Sequence, residues 1–452
     1  MDDEHTPLQA HPTPDAGVPG RSARPLRVAL FTDNYGPGHS GLLYAVQFLE
    51  GELLDAGFEV EVVAPACVGP NPYKDHPRRS ERRLPAMRVP GVPAAIAAGR
   101  GFERFLDEFA VDPPDVIHVH GLGPVGLLGV WAADRAERPL MVTWHTDFEA
   151  YAEHYSVLTP FMDAYYRLLK VATRGMKRPA LRDMRRWMSV RWLRRDMSRR
   201  SLLNAARDML QAADLVTTPS DKTAMRVREL APKSRITVVP NGADALPEGE
   251  PLTPKTGPRI LYVGRIAPEK NIGLLLSAFS WVREEIPNAE LMFVGDWRVS
   301  ASLERKLRRA RARGGVTLVG QVPREKLGPY YASADVFAFP STTDTQALVL
   351  HEAAHAGLPI VSVDHELRLV LDEGVNGAIA RPTPESLARQ LVMLLHRLED
   401  PEFAAAAHAR SKEMASWWTI ENQSEAIISL YRDLAAGREV PESMKAIPPL
   451  PR

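Results

Sequence analysis

From Leu26 onward, short stretches of apolar residues alternate with longer stretches whose apolar positions recur every three or four residues. The runs 28–31, 60–63, 116–119 and 140–144 read as strands, with amphipathic helices at 42–56, 99–110 and 125–137 between them. Runs 215–218 and 236–239 complete this half. These runs are apolar throughout rather than alternating, which predicts parallel strands covered by helices on both faces. Residues 241–258 (NGADALPEGEPLTPKTGP) break the pattern with Gly, Pro and charge, and read as a linker. The alternation then restarts, with strands at 260–263, 290–294, 316–319, 336–339 and 359–363 and helices at 272–286, 301–313 and 346–356. The expected fold is therefore α/β, with two doubly wound Rossmann-like units facing a cleft. Their expected extents are 26–240, with a basic helical insertion at 160–210, and 259–418. A helix at 419–436 is expected to cross back to the first unit, with tails at 1–25 and 437–452. The first tail carries Pro12, Pro14, Pro19 and Pro25 and almost nothing apolar to bury, so disorder is expected there.

Composition narrows the class. Apolar residues make up 45% and charged residues 25% of the 452, the proportions of a soluble globular protein. Lys+Arg and Asp+Glu both number 56, so no global field favours nucleic acid. Cys67 is the single cysteine, which excludes a disulfide framework or a multi-cysteine metal site and fits a reducing compartment. No run reaches the roughly 20 apolar residues of a membrane span, and the opening MDDEH is unlike a secretory signal. A cytoplasmic location is expected. The charge is unevenly spread, however. Fourteen Lys and Arg fall between Arg167 and Arg207 against Asp183 and Asp196, with Trp187 and Trp192 among them. Two readings stay open for this region, a solvated helical face or a surface for an anionic membrane.

Ligands of doubly wound sheets sit at the C-terminal ends of the strands, and the candidate chemistry lies there. Arg265 ends ILYVGR and Lys270 precedes the next helix, so both would border an anion site at a helix N-terminus. On spacing alone, an inert surface pair explains them as well. The segment 341–359 (STTDTQALVLHEAAHAGLP) begins with turn residues and runs into a helix stopped by Gly357 and Pro359. Asp344 and Glu352 are eight residues apart, about 12 Å of rise on a helix. That is too far for a paired acid and base, but suits bracketing an elongated ligand whose phosphate faces the amides of 346–349. A helix cap plus a solvated glutamate is the bland alternative. Gly36, Gly38 and Gly41 sit between the first strand and first helix, where a backbone can approach a ligand closely or simply turn. His118, His120 and His145 lie at strand ends, and Glu149, Tyr151 and His154 follow in TWHTDFEAYAEHY. The sequence contains no H-E-x-x-H, Ser-His-Asp order or P-loop signature.

Taken in order, these segments resemble the retaining GT-B-fold glycosyltransferases that use nucleotide diphosphate sugars. That large family contains bacterial phosphatidylinositol mannosyltransferases and sucrose-type synthases. The resemblance spans about 27–435 and rests on the loop 35–41, HVHG (118–121), TWHT (143–146), PNGAD (240–244), VGRIAPEK (263–270), FVGD (293–296), VGQVP (319–323) and DTQALVLHEAAHAGLPIV (344–361). It implies that Arg265 and Lys270 bind the diphosphate and stabilise it as leaving group. It implies that Glu352, the second acid of an E-x(7)-E motif, holds the ribose, and that Asp344 lies beside the donor sugar. The main chain of Gln346, Ala347, Leu348 and Val349 would face sugar and phosphate, Val322 would read the base, and Gly41 would let the first loop approach the phosphates. His145 would contact the donor sugar near its reactive face, with His120, Glu149 and Tyr151 as acceptor candidates.

Asp344 stands where the family carries Glu, Gln346-Ala347 replaces an aromatic-Gly pair, and Ser40-Gly41 replaces Gly-Gly. The resemblance implies transfer of a hexose, with a UDP-sugar as the expected donor, and neither metal nor cofactor. TWHTDFEAYAEHY is similar to members that glycosylate diacylglycerol, which with the basic region suggests a lipid acceptor at an anionic membrane face. A small soluble hydroxyl acceptor is the alternative. A nucleotide-sugar 2-epimerase and a non-catalytic sugar-nucleotide-binding protein are further readings of the same fold.

Overall fold

The computed structural model describes residues 24–35, 41–66, 71–88, 95–97, 101–121, 123–145, 195–252, 254–297 and 301–440. In the first half the strands are β1 (Arg27–Thr32), β2 (Glu59–Pro65), β3 (Arg79–Leu84), β4 (Ala86–Arg88), β5 (Ala95–Ala97), β6 (Val116–His120), β7 (Leu140–Thr143), β8 (Leu215–Thr218) and β9 (Ile236–Val238). Helices α1 (Gly41–Asp55), α2 (Phe102–Val111), α3 (Pro124–Ala136), α4 (Arg195–Gln211) and α5 (Asp221–Leu230) accompany them. The second half contains β10 (Arg259–Val263), β11 (Glu290–Val294), β12 (Val316–Gly320), β13 (Val336–Phe339), β14 (Ile360–Ser362) and β15 (Gly377–Ile379). Its helices are α6 (Ile272–Glu285), α7 (Ala301–Ala312), α8 (Gly328–Ala332), α9 (Leu348–His355), α10 (Pro384–Arg397), α11 (Pro401–Ser416) and α12 (Ile420–Ala435).

The first sheet runs β3-β2-β1-β6-β7-β8-β9 and the second β12-β11-β10-β13-β14-β15, with β4 and β5 forming a separate antiparallel pair. Every neighbour in the two large sheets is parallel. In each sheet the chain builds outward from a central strand and then returns to that strand's other side. The crevices that bind ligands in such sheets therefore open at the ends of β1 and β6 and of β10 and β13. The expected strands are apolar because both faces are covered. On one face of the first sheet Phe31 meets Phe105 and Phe109 edge-on, at centroid distances of 6.0 and 5.6 Å. The other face receives α12, whose Ala426, Ile427, Leu430, Tyr431 and Leu434 join Val28, Leu30, Leu43 and Val46 in one core. The end of the chain thus leaves the second sheet and covers the first.

The sequence reading did not include β3, β4, β5, β15, α5, α8, α10 or α11, and it placed the start of α9 two residues early. The edge strand β3, RSERRL, has one apolar residue and gives no periodic signal. It is held by charge instead: Arg79 pairs with buried Glu50 at 2.5 Å, and Arg82 pairs with Glu61 on β2. A charged edge of this kind also discourages further strand pairing. The helix expected from 346 begins at Leu348, because Ala347 adopts the left-handed conformation, with φ 65°. Asp344 therefore lies in irregular chain ahead of the helix, and the helical rise between Asp344 and Glu352 does not apply.

Candidate functional site

The expected cations gather where β10 and β13 end. Arg265 follows β10, and its guanidinium lies 2.5 Å from Glu269 Oε1 with the side chain 45% exposed. Lys270 Nζ donates to Asp344 Oδ1 at 2.5 Å, in a pair whose side chains are 17% and 19% exposed. Burial alone would raise the Asp344 carboxyl, but the Lys270 ammonium reverses this and holds it below the usual carboxylate range. Asp344 Oδ2 is buried and has no hydrogen-bond partner among the described residues. The helices opening beside these groups come from opposite halves. Gly41, the first residue of α1, would place a Cβ 4.0 Å from Leu348 Cδ1, in the first turn of α9. Two helix N-termini thus adjoin one another, with the Lys270–Asp344 pair in the segment leading into one of them, an arrangement that suits a multiply charged anion.

Glu352 faces away from bulk solvent and is 6% exposed. Its Oε1 accepts from Arg324 Nε at 2.8 Å, and its Oε2 accepts from Tyr331 Oη at 2.9 Å. Burial and the adjoining Glu352 push the Tyr331 phenol well above its ordinary range, so the phenol stays a donor. Arg324 also lies 5.3 Å over the ring of Phe48 on α1, joining the two halves beside Glu352. Val322, two residues earlier, packs partly buried against the neighbouring core. Sequence reasoning missed Arg324 and Tyr331. The only signal was an arginine directly after VGQVP, and nothing in the spacing tied it to Glu352. Gln346 turns into the protein: its Oε1 accepts from Asn241 N at 2.6 Å, and its Nε2 donates to Asn241 O at 2.7 Å. Its side chain is thereby used as a backbone-like pair. The main chain of Gln346, Ala347, Leu348 and Val349 remains at the corner, around the start of α9.

The first half contributes histidines from adjacent strand ends. His120 Nδ1 lies 3.1 Å from His145 Nε2. His118 contacts Tyr431 Oη on α12 and Thr143 Oγ1 on β7, both at 2.6 Å. Burial depresses all three imidazoles, His145 to about 4, so each is neutral at physiological pH. The His145–His120 contact then requires one ring to donate and the other to accept, which ties the tautomer of His145 to that of His120. His120 Nε2 is buried with no partner among the described residues.

Asp33, after β1, was also missed. It accepts from Val125 N at 2.8 Å and Gly126 N at 3.2 Å, and burial raises it to about 6. Gly123 is required there, since a Cβ would fall 2.3 Å from the Asp33 carboxyl. Glu149, Tyr151, most of the basic region 167–207 and residues 36–40 of the glycine loop lie outside the described residues. Among the described residues, no group of His, Cys, Asp and Glu is arranged to hold a metal, and no helix is long and apolar enough to cross a membrane.

Comparison with known proteins gives two family matches. Residues 44–245 match the model described as glycosyltransferase family 4, and residues 257–397 match glycosyl transferases group 1. The chain is 25% identical over 430 residues to alpha-monoglucosyldiacylglycerol synthase of Acholeplasma laidlawii, covering 90% of this chain and 97% of that protein. It is 25% identical to a GDP-mannose-dependent alpha-mannosyltransferase of Mycolicibacterium smegmatis, over 75% of this chain and 80% of the relative. Among solved structures, sucrose-phosphate synthase from Thermosynechococcus elongatus superposes with TM-score 0.67 at 20% identity, over 91% of this chain and 100% of that one.

Proposed function

We propose, from the premise that the chain belongs to the GT-B glycosyltransferases assembled from a family 4 and a group 1 domain, that it transfers a hexose with retention from a nucleotide diphosphate sugar. The acceptor is a hydroxyl, and no metal takes part. The observation that carries this reading is that the N-termini of α1 and α9 adjoin each other while Lys270 pairs with Asp344, in the segment leading into α9, and Arg265 lies beside it after β10. When the sugar–phosphate bond breaks, its electron pair passes to the diphosphate. Charge therefore develops where preorganised cations and amide groups already point, and such groups stabilise it without further reorganisation. The acceptor oxygen attacks the anomeric carbon on the face the diphosphate leaves, and its proton goes to the departing phosphate oxygen. No protein nucleophile is needed.

Arg265 and Lys270 are paired with Glu269 and Asp344. A diphosphate would take over the two cations and free the Asp344 carboxylate for a sugar hydroxyl. On this reading Glu352 takes the ribose hydroxyls, with Arg324 yielding one of its carboxylate oxygens. We take UDP-glucose as the donor and a diacylglycerol-type lipid hydroxyl as the acceptor. Support for the lipid comes from TWHTDFEAYAEHY, from the basic Trp-bearing stretch, and from the name of the Acholeplasma relative. The stretch is proposed to hold the enzyme peripherally on an anionic membrane face. The test incubates the protein with UDP-glucose, UDP-N-acetylglucosamine or GDP-mannose and diacylglycerol in anionic vesicles, with products read by mass spectrometry. A hexosyl-lipid, lost in Arg265→Ala, supports the proposal. Epimerised donor without glycoside would assign the fold to a 2-epimerase, and binding without turnover would leave a sugar-nucleotide sensor.

A further inference from the structure

Three neighbouring strands of the first sheet end on a single segment of the second half, residues 341–346. Beyond β7, the carbonyl of His145 accepts from Thr345 Oγ1 at 3.0 Å. Beyond β8, Ser220 Oγ donates to the Thr345 carbonyl at 2.5 Å, and Thr223 Oγ1 reaches the same oxygen at 3.3 Å. Beyond β9, Asn241 makes the paired bonds to Gln346 already described. The remaining contact is Lys222, in the first turn of α5. Its Nζ donates to the Thr342 carbonyl at 2.8 Å and to Asp364 Oδ2, beyond β14, at 2.5 Å, with Glu366 3.8 Å away. The Lys222 and Asp364 side chains are 5% and 2% exposed.

The segment itself has no regular secondary structure to hold its shape. Thr342 and Thr345 stand on either side of Asp344, so the bonds from the first half fix both flanks of the residue that meets Lys270. An ion pair this deeply buried gives little net stability, since desolvation of both charges offsets most of their attraction. What such a pair does supply is a fixed geometry, because neither charge tolerates an alternative without its partner.

We infer that Lys222 is a positioning residue for the transfer reaction. By holding the Thr342 carbonyl from the first half, two residues ahead of Asp344, it sets Asp344 and, through Asp344, the Lys270 ammonium at the diphosphate corner. The donor site is then complete only while the two halves are in contact. This rests on the glycosyl-transfer reading above, which places the diphosphate at that corner.

The test uses the full chain, with Lys222→Met removing the charge and Lys222→Arg keeping it. Hydrogen exchange is followed over 341–347 and over β10–β11. Turnover is measured with saturating UDP-glucose and GDP-mannose, and UDP and GDP affinities by calorimetry. In Lys222→Met the 341–347 amides should exchange at least tenfold faster while β10–β11 are unchanged. Turnover should fall at least tenfold, UDP and GDP affinities should fall with it because the Lys270 ammonium is no longer held at the diphosphate, and Lys222→Arg should recover part of each loss. A merely structural residue would speed exchange through β10–β11 as well as over 341–347, and Lys222→Arg would not restore the segment selectively. Wild-type exchange over 341–347 in Lys222→Met overturns the inference, as does faster exchange with undiminished turnover. If Lys222→Met does not fold, Asp364→Asn removes the partner charge while leaving the Thr342 bond, and the same readouts should move three- to tenfold. If wild type turns over neither sugar nucleotide, the failure belongs to the glycosyl-transfer reading, and exchange alone decides whether Lys222 holds the segment.

Discussion

Arg265 is the residue whose loss separates chemistry from folding most cleanly. Its side chain is nearly half exposed and its one strong partner among the described residues is Glu269, four residues away. Removing it should change stability by no more than about 0.5 kcal/mol, whereas losing one preorganised group that stabilises a leaving charge costs about 10²–10³ in kcat. Steady-state kinetics on Arg265→Ala with the donor panel checks this, and an unchanged kcat would remove the diphosphate assignment. Ala347 makes a different prediction. It sits at φ 65°, where a Cβ crowds the backbone at a cost of roughly 1–2 kcal/mol. Glycine relieves that strain and gives back about 0.5–1 kcal/mol in unfolded-chain entropy. Ala347→Gly should therefore stabilise the protein by about 0.5–1 kcal/mol, read as a higher denaturant midpoint at unchanged m-value. Arg265, Lys270, Asp344 and Glu352 were legible in the sequence because motif and strand-end position single them out. Arg324, Tyr331 and Lys222 were not, since each draws its meaning from a partner 21 to 142 residues away that no local pattern announces.

At the scale of elements, α12 shows what periodicity reveals and what it leaves out. Its apolar stripe marks a helix with one buried face, but the stripe does not say which sheet receives it. Packing answers that: Leu430 and Tyr431 lie in the core of the first sheet, and the Tyr431 hydroxyl meets His118 Nδ1 at 2.6 Å. Leu430→Ala should cost about 2–5 kcal/mol, as expected for a large-to-small change in a filled core. Tyr431→Phe keeps the packing and strips His118 of one partner inside the protein, which should cost about 1–3 kcal/mol. Chemical denaturation of the two variants checks both values. Tyr431→Phe should also shift the histidine resonances in NMR, and Leu430→Ala should not do so selectively. The strand β3 is the opposite case. Six residues with four charges carry no apolar period; besides its main-chain pairing with β2, the strand is fixed by Glu50 and Glu61 on neighbouring elements, which receive Arg79 and Arg82. The core strands were readable because burial on both faces leaves an uninterrupted apolar run, a signal an edge strand does not need.

The histidines also bear on the molecule as a whole. His118, His120 and His351 are almost fully buried and neutral, and burial lowers His145 to about 4 and His351 to about 3. In the unfolded chain each would titrate near 6.5. The stability these groups contribute is therefore complete above pH 6.5 and is lost as the pH falls toward the folded values, because over that window the unfolded chain takes up protons that the folded chain refuses. Asp33 works in the other direction. Raised to about 6, it holds a proton in the folded state that the unfolded carboxyl has already released, so its contribution is full below the unfolded value near 3.8 and is lost as the pH rises through 6. The depressed imidazoles, His355 among them, outnumber the raised carboxyls Asp33, Glu50 and Glu52, so the net effect is acid destabilisation. Urea midpoints measured from pH 7.5 down to 4.5 should fall steeply below pH 6.5. The loss should be shallower in His351→Gln, which removes one titrating group away from the His118–His120–His145 chain. A flat profile through pH 5 would mean that water reaches these rings, and that neutral imidazoles do not line the first half of the cleft.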